Sequence, residues 1–277
     1  MTATTVPAPA RPLPLPPLDD QRISLRATLH HIGALTRRNL MRIKADPESM
    51  IDVLLMPILF TTLFVYVFGG AVSGNQTNYI QYMVPGMLGQ IGISLAMAVG
   101  TGLNSDFSSG VMDRFRTLPI GRASVLISKL IAETLRAMVS LVILLAFAMV
   151  LGLRIHTGPL QLLAALALAM AFGAGMVWVS MLLGMALKNP QAVQGVGMLI
   201  VMPLQFGSST FAPTTTMPGW LQAFTKVNPL SALADSSRAL INGGLPVLHP
   251  ALEVLGWSVG LTAVFGPLAV RKFKKRT

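Results

Sequence analysis

The feature that most constrains this sequence is a series of apolar blocks, each about twenty residues long and separated by short polar stretches. A helix needs about 20 such residues to cross the hydrocarbon core of a bilayer. Hydrophobic residues make up 53% of the chain and charged residues only 11%, against roughly 25% charged residues in a soluble domain. The pattern predicts an all-α polytopic membrane protein, because a transmembrane β-barrel would need short alternating segments. Six transmembrane helices are predicted, at about 50–68, 84–105, 125–151, 160–187, 193–211 and 251–270.

The Lys and Arg residues set the predicted orientation of these spans. The two terminal segments and two of the loops hold sixteen of them, whereas the three alternating loops hold three. By the positive-inside rule, both termini and the 106–122 stretch are then cytoplasmic, and the long 212–250 loop is external. The net charge of +11 is accordingly interpreted as a topology signal, so membrane lipids and no nucleic acid are the expected partners.

Two segments precede the first span. Residues 1–24 are rich in Pro and contain no continuous apolar h-region, so we expect a disordered cytoplasmic tail and no signal peptide. Residues 25–45 place apolar residues on one side of a helical wheel and basic residues on the other. Such a helix is expected to lie in the membrane interface; a solvated flank without defined docking is the alternative. The basic residues of this interface helix are Arg37, Arg38 and Arg42.

The chain carries no signature of an enzyme or of a nucleotide site. The motifs G-x-x-x-x-G-K-[ST], H-E-x-x-H and G-x-S-x-G are absent, there is no Cys, and the four His are scattered over flanks and loops. No catalytic, cofactor-binding or metal-ligating residue is therefore predicted, and a transport protein is favoured over an enzyme. The acids Asp52, Glu133 and Glu253 lie near span ends, which disfavours a secondary transporter driven by an ion gradient.

The second and third predicted spans carry two further signals. Several glycines in the second span predict close approach of a neighbouring helix. Three charged residues at the start of the third span have the spacing to pair on one helix face. The glycines are Gly86, Gly89, Gly92, Gly100 and Gly102, and the charged residues are Lys129, Glu133 and Arg136.

The polar stretch DFSSGVMDRFRTLPIGR, residues 106–122, separates these two spans. Its apolar residues gather on one face of a helical wheel and its polar residues on the other, until Pro119 and Gly121 end the pattern. Such a helix either rests on the lipid or docks into a groove of a soluble partner, and the residues alone favour neither. The residues assigned to this helix are Phe107, Val111, Asp113, Arg114, Phe115, Arg116 and Leu118.

Two segments resemble the type-2 family of ABC export permeases, most closely its daunorubicin-resistance-type drug and lipid exporters of actinobacteria. The first is SSGVMDRFRTLPIGRASVLISK, with its acidic-basic helix, Leu-Pro break and entry into the third span. The second is FAPTTTMPGWLQAFTKVNPLSALADSSRAL, before the last span. It carries Met-Pro-x-Trp, Asn-Pro and a later Arg, which place Trp220, Asn228, Pro229 and Arg238 in the external segment.

The resemblance implies partners and a mechanism. Family members pair with a separate ATP-binding cassette subunit that binds ATP and Mg, usually as two permeases, identical or paralogous, with two ATPases. The helix from Phe107 to Leu118 would be the coupling helix that docks on this ATPase, and 212–250 would be an external re-entrant segment. The complex would export a small hydrophobic or amphipathic substrate, such as a drug, antibiotic or lipid, across the bacterial cytoplasmic membrane. Export of a polysaccharide or glycolipid by the same architecture is an alternative.

Overall fold

The computed structural model describes residues 25–45, 47–111 and 122–276, and within them the chain forms helices joined by short connections. The predicted Pro-rich tail, 1–24, lies outside the described residues. A short 3₁₀ turn at Thr214–Thr216 follows α6. The α-helices are α1 (Leu25–Ala45), α2 (Pro47–Ser73), α3 (Gln76–Ser108), α4 (Arg122–Val150), α5 (Pro159–Ala186), α6 (Pro190–Phe206), α7 (Gly219–Val227), α8 (Pro229–Asn242) and α9 (Leu248–Arg276).

Four of these helices are long and apolar enough to cross a membrane: α3, α5, the 127–150 part of α4 and the 248–273 part of α9. The apolar part of α2 is shorter, at Leu55–Gly70, and α6 has 17 residues. The predicted fifth span, 193–211, therefore extends five residues beyond the helix that forms. The helix stops because Gly207 caps it and the chain turns there to meet α7.

Helix α3 packs against α5 at backbone distance, which confirms the close approach predicted from the glycines. A Cβ atom on Gly92 would lie 2.9 Å from the Ala169 carbonyl oxygen, and one on Gly173 would lie 2.9 Å from the Gly92 Cα. Further along, a Cβ atom on Gly100 would lie 2.5 Å from the Ser180 carbonyl oxygen. Transmembrane helices associate through such small residues because lipid tails provide no hydrophobic force between them.

The connections sort into two ends of the bundle. At one end, Gln81 near the start of α3 donates to the Arg154 carbonyl at 2.5 Å and to Asn242 Oδ1 at 2.7 Å. At the other end, Asn104 near the end of α3 donates to the carbonyls of Gly184 in α5 and of Leu187, which caps α5, at 2.7 and 2.8 Å. Asn104 thus satisfies carbonyls that the end of α5 leaves unpaired.

Helix α1 lies against the start of α4. Leu35 is buried, and the Thr36 hydroxyl donates to the Ser128 carbonyl at 3.5 Å. Leu29, in contrast, is 68% exposed, and Arg37 and Arg38 also face outward. The side chain of Arg42 lies outside the described side chains. The bounds of α1 coincide with the predicted 25–45, and its outward face combines an apolar residue with basic ones.

Candidate functional site

The polar stretch between α3 and α4 begins as the end of α3. Phe107, assigned from the sequence to the coupling helix, lies in the last turn of α3 and packs edge-on against Phe273 of α9, with ring centroids 6.0 Å apart. The helix ends because Gly110 has a φ of +70°, a left-handed conformation that glycine adopts without strain. Val111 is helical and half-buried. Asp113, Arg114, Phe115, Arg116 and Leu118 lie outside the described residues.

An ion pair joins the two helices that flank this stretch. Lys129 Nζ of α4 donates to Asp106 Oδ2 of α3, and both side chains are about five-sixths buried. The lysine reaches across because the facing residue of α3 is Gly102, where a Cβ atom would lie 2.7 Å from Lys129 Cε. A force applied to the loop is therefore applied to α3 and α4 together.

A second ion pair lies one turn further into α4. The Arg136 guanidinium donates to Glu133 Oε2 at 3.5 Å, which confirms the predicted pairing of these two residues. Lys129, the third predicted member, donates to Asp106 and also lies close enough to Glu133 to act on its carboxylate electrostatically. Both groups of the Glu133–Arg136 pair are mostly buried, with 13% and 20% of their side chains exposed.

The segment 212–250, predicted from the sequence to be external, is built on Asn228. Its Oδ1 accepts from the Leu230 N–H at 2.9 Å and caps α8, with Pro229 in the first turn, where its missing N–H costs nothing. Its Nδ2 donates to the carbonyls of Leu204 and Gly207 at the end of α6, at 2.6 and 3.0 Å. One buried side chain thus starts α8 and terminates α6. Trp220, on the short helix α7, is 74% exposed.

Arg238 of α8 is the centre of a buried polar cluster. Its guanidinium donates to Asp235 Oδ1 at 2.8 Å, to the Tyr82 carbonyl at 2.8 Å and to the Ser209 carbonyl at 2.6 Å. It also donates to Ser209 Oγ at 3.3 Å and the Thr210 carbonyl at 3.2 Å, and lies 3.7 Å from the centroid of the Tyr82 ring. The cluster therefore ties α8 to α3 and to the segment that follows α6.

Burial lowers the pKa of Arg238 from its ordinary value, and the nearby Tyr82 and Asp235 act in the opposite direction. An arginine pKa starts so high that the group stays charged. Its planar fork suits several carbonyls at once, which a lysine ammonium would not. The Arg238 side chain is accordingly charged, and each of its nitrogens donates a hydrogen bond that holds α8 against α3 and the segment after α6.

Pro85 and Gly86 allow α3 to pack against α8 and against the segment that follows α6. Pro85 has no N–H, so the Gln81 carbonyl four residues earlier is left without its helical partner. Asn242 Nδ2 donates to that carbonyl at 3.0 Å. Gly86 leaves room for the segment after α6, because a Cβ atom there would lie 3.1 Å from the Thr210 carbonyl oxygen.

Sequence reasoning identified Arg238 and Asn228 but missed Gln81, Tyr82 and Asn242. A usable signal was present: a proline inside an apolar helix leaves a carbonyl that another polar group must satisfy. The amides at Gln81 and Asn242 are the polar groups that do so, directly and through each other.

The sequence model of the family described as ABC-2 type transporter matches residues 30–242, which contain both the 106–122 stretch and the Arg238 cluster. The chain belongs to this family. A daunorubicin resistance ABC transporter permease protein of Streptomyces coeruleorubidus is 36% identical over 253 residues, 91% of this chain and 88% of the relative. A doxorubicin resistance ABC transporter permease protein of Mycobacterium tuberculosis (strain ATCC 25618 / H37Rv) is 30% identical over 217 residues, 72% of this chain and 74% of the relative.

Membership in the ABC-2 type transporter family makes this chain a multi-pass transport protein of the bacterial plasma membrane. It agrees with the apolar helices α3, α4, α5 and α9. Within the family, the membrane subunit and the ATPase are separate proteins. The resemblance to ABC export permeases that the two sequence segments carry is thus confirmed at the level of the family.

Proposed function

We propose that this chain is the membrane-spanning subunit of an ABC exporter, driven by ATP that a separate subunit binds with Mg and hydrolyses. Its cargo is a hydrophobic or amphipathic drug or lipid. The observation that carries the proposal is the 36% identity to a daunorubicin resistance permease across 91% of the chain. Transport by a permease of this kind needs no catalytic residue in the chain itself.

The proposed topology has six spans, α2, α3, α4, α5, α6 and α9, with both termini in the cytoplasm. The Lys and Arg distribution supports it, with sixteen residues on the proposed cytoplasmic side and three on the external side. The contacts support it too. Arg154 and Asn242, from two proposed external segments, both bond to Gln81, whereas Phe107 and Phe273 meet at the proposed cytoplasmic end.

Energy enters this subunit through the 106–122 stretch in our proposal. The partner ATPase presses on the coupling helix, and the Asp106–Lys129 pair passes the displacement to α3 and α4. At the external end, the Arg238 cluster holds α3, the end of α6 and α8 together. Movement at the cytoplasmic end is then carried along α3 as one body, because α3 also packs against α5 at backbone distance.

The experiment that tests this function uses inside-out vesicles from cells that express the chain with an ABC ATPase encoded in its gene neighbourhood. Quenching of doxorubicin fluorescence reports uptake, and an ATPase variant that cannot hydrolyse ATP is the control. Uptake that requires ATP, the active ATPase and this chain supports the proposal. Uptake that continues without ATP and stops when the ion gradient is dissipated identifies a secondary transporter and refutes it.

A further inference from the structure

A cavity of about 450 Å³ lies between α2, α3, α4 and α6. Pockets for drug-sized ligands typically have volumes of about 300–1,000 Å³, so this one is large enough for such a molecule. On α6 its lining extends from Gln194 to Gln205, which at 1.5 Å per residue is about 16 Å along the helix axis. The cavity is therefore elongated along the spans and covers about half of a hydrocarbon core roughly 30 Å thick.

Polar side chains line this cavity in stripes at helical spacing. On α3 and on α4 they recur at separations that keep them on one helix face, and on α6 two glutamines lie three turns apart. All of them interrupt otherwise apolar helices. The stripes consist of Gln90, Ser94 and Thr101 on α3, Glu133, Arg136 and Ser140 on α4, and Gln194 and Gln205 on α6.

Several of these groups lack a protein partner. Within the part of the chain that the structure describes, no hydrogen bond forms to the side chains of Gln90, Ser94 or Gln205, and all three line the cavity. Gln205 is only 8% exposed, Gln90 is half-buried and Ser94 is exposed. A bilayer core offers no bulk water, so polar groups in it bond to protein or to whatever fills a cavity. These side chains can therefore bond to a molecule in the cavity that donates and accepts hydrogen bonds.

The lining also contains apolar, adaptable side chains. Met56 and Phe60 of α2, Met87 and Met97 of α3, and Phe211 all line the cavity. Methionine is unbranched and polarizable, so these side chains fit ligands of different shape. The charges in the lining balance, because Glu133 is paired with Arg136. An occupant that combines hydrogen-bonding groups, apolar surface and no excess charge matches all of these features.

We infer that this cavity is the substrate-binding site, and that it takes an amphipathic molecule carrying several hydroxyl, carbonyl or amide groups. The inference rests on the proposed transport function and adds to it the site and the chemical class of the substrate. Glutamine amides and serine hydroxyls both donate and accept, so they recognise hydroxyl groups in either role. The ligand contacts Gln90, Ser94 and Gln205 through its polar groups and the methionine side chains through its apolar surface.

The natural chain contains no Cys, so one introduced cysteine reports on one position. We would label Ser94→Cys with a maleimide in the ATPase complex in nanodiscs, with and without two planar probes. One probe is the aglycone of daunorubicin, which carries hydroxyl and carbonyl groups, and the other is pyrene, which carries none. The control is Thr215→Cys, at an exposed position of the 3₁₀ turn that follows α6. The aglycone should protect Ser94→Cys and leave Thr215→Cys reactive, and pyrene should protect neither.

The variant Gln205→Leu then tests the polar stripe. It should raise the aglycone concentration for half-protection about three- to tenfold, the equivalent of one hydrogen bond. Thermal stability should not fall, because an unbonded amide is removed; a purely structural role for Gln205 would lower it. Gln161→Leu, the same change at an exposed position of α5, should alter neither quantity.

Three outcomes overturn this assignment. If Ser94→Cys does not react with the maleimide even without a probe, another protein segment, such as a second copy of the chain, fills the cavity. Labelling that neither probe reduces shows that the cavity holds water only, and equal protection by both probes shows that the polar stripe recognises nothing. If any of these occurs while ATP still drives doxorubicin uptake, the site is wrong and the proposed function stands. Loss of ATP-driven uptake by the unmodified chain contradicts the function itself.

Discussion

Replacing Arg238 by Met should destabilise the end of the bundle that holds its cluster far more than the removal of any exposed charge. Methionine has a similar length and no charge, so it leaves the oxygens around it without donors. Those oxygens belong to Tyr82, Ser209, Thr210 and Asp235. Asp235 is 54% exposed and can turn to water, whereas the carbonyls of Ser209 and Thr210 belong to buried residues.

The expected magnitude follows from these contacts. Leaving a buried acceptor without a hydrogen-bond donor costs about 1–3 kcal/mol. Arg238→Met leaves the buried carbonyls of Ser209 and Thr210 in that state, so it should reduce the free energy of unfolding by about 4 kcal/mol. Arg238→Lys keeps the charge, but its point-like ammonium cannot reach all the acceptors, so about half of that loss is expected.

Unfolding of the purified chain by SDS in mixed micelles, followed by tryptophan fluorescence, measures this loss. Arg154→Met is the matched control: Arg154 is an exposed arginine at the same end of the bundle, and its bonds to Gln81 use the backbone. It should change the free energy of unfolding by less than about 0.5 kcal/mol. The reasoning about the cluster is refuted if Arg238→Met and Arg154→Met have the same effect.

Two further substitutions test the rest of the bundle. Gly184→Leu should separate α3 from α5 and abolish folding in the membrane, because a Cβ atom there meets the Gly100 carbonyl. Gly256→Leu, in open space on α9, should be tolerated. Equal expression of both variants as folded protein would contradict the close packing of α3 against α5. Asp106→Asn and Lys129→Met should each lower ATP-driven doxorubicin uptake. Each substitution breaks the same ion pair, so the double variant should lose less uptake than the two single losses added together. Additive losses would show that the pair does not act as a unit.

The helical segments were predictable because hydropathy and helix-breaking residues act locally. The predicted 125–151 and 160–187 spans lie within three residues of α4 and α5. Helix α8 is followed by Gly243 and Gly244, which both adopt a positive φ that glycine favours. Where the sequence misled, a distant contact decided the outcome. Helix α6 ends early because the α7 and α8 hairpin folds back onto Gly207.

The sites were less predictable, because they depend on how helices rotate against one another. Arg238 was found through its motif, but its acceptor on Tyr82 lies 156 positions earlier in the chain. The polar stripe of the cavity was readable as a spacing on α3, yet nothing in the sequence places Gln205 of α6 opposite it. Phe107 was assigned to the coupling helix because it falls on the apolar face of the helical wheel for 106–122. In the structure it packs against Phe273 and belongs to the last turn of α3.

The central claim is that a partner ATPase drives this permease through the 106–122 stretch. The most direct test is co-purification of the ATPase with the variant carrying Arg114→Glu and Arg116→Glu. The control is Arg154→Glu, on the side that we propose to be external. We expect the double variant to insert into the membrane normally, to lose the bound ATPase and to lose ATP-driven uptake, while the control keeps both. Undiminished binding and uptake in the double variant would contradict the claim.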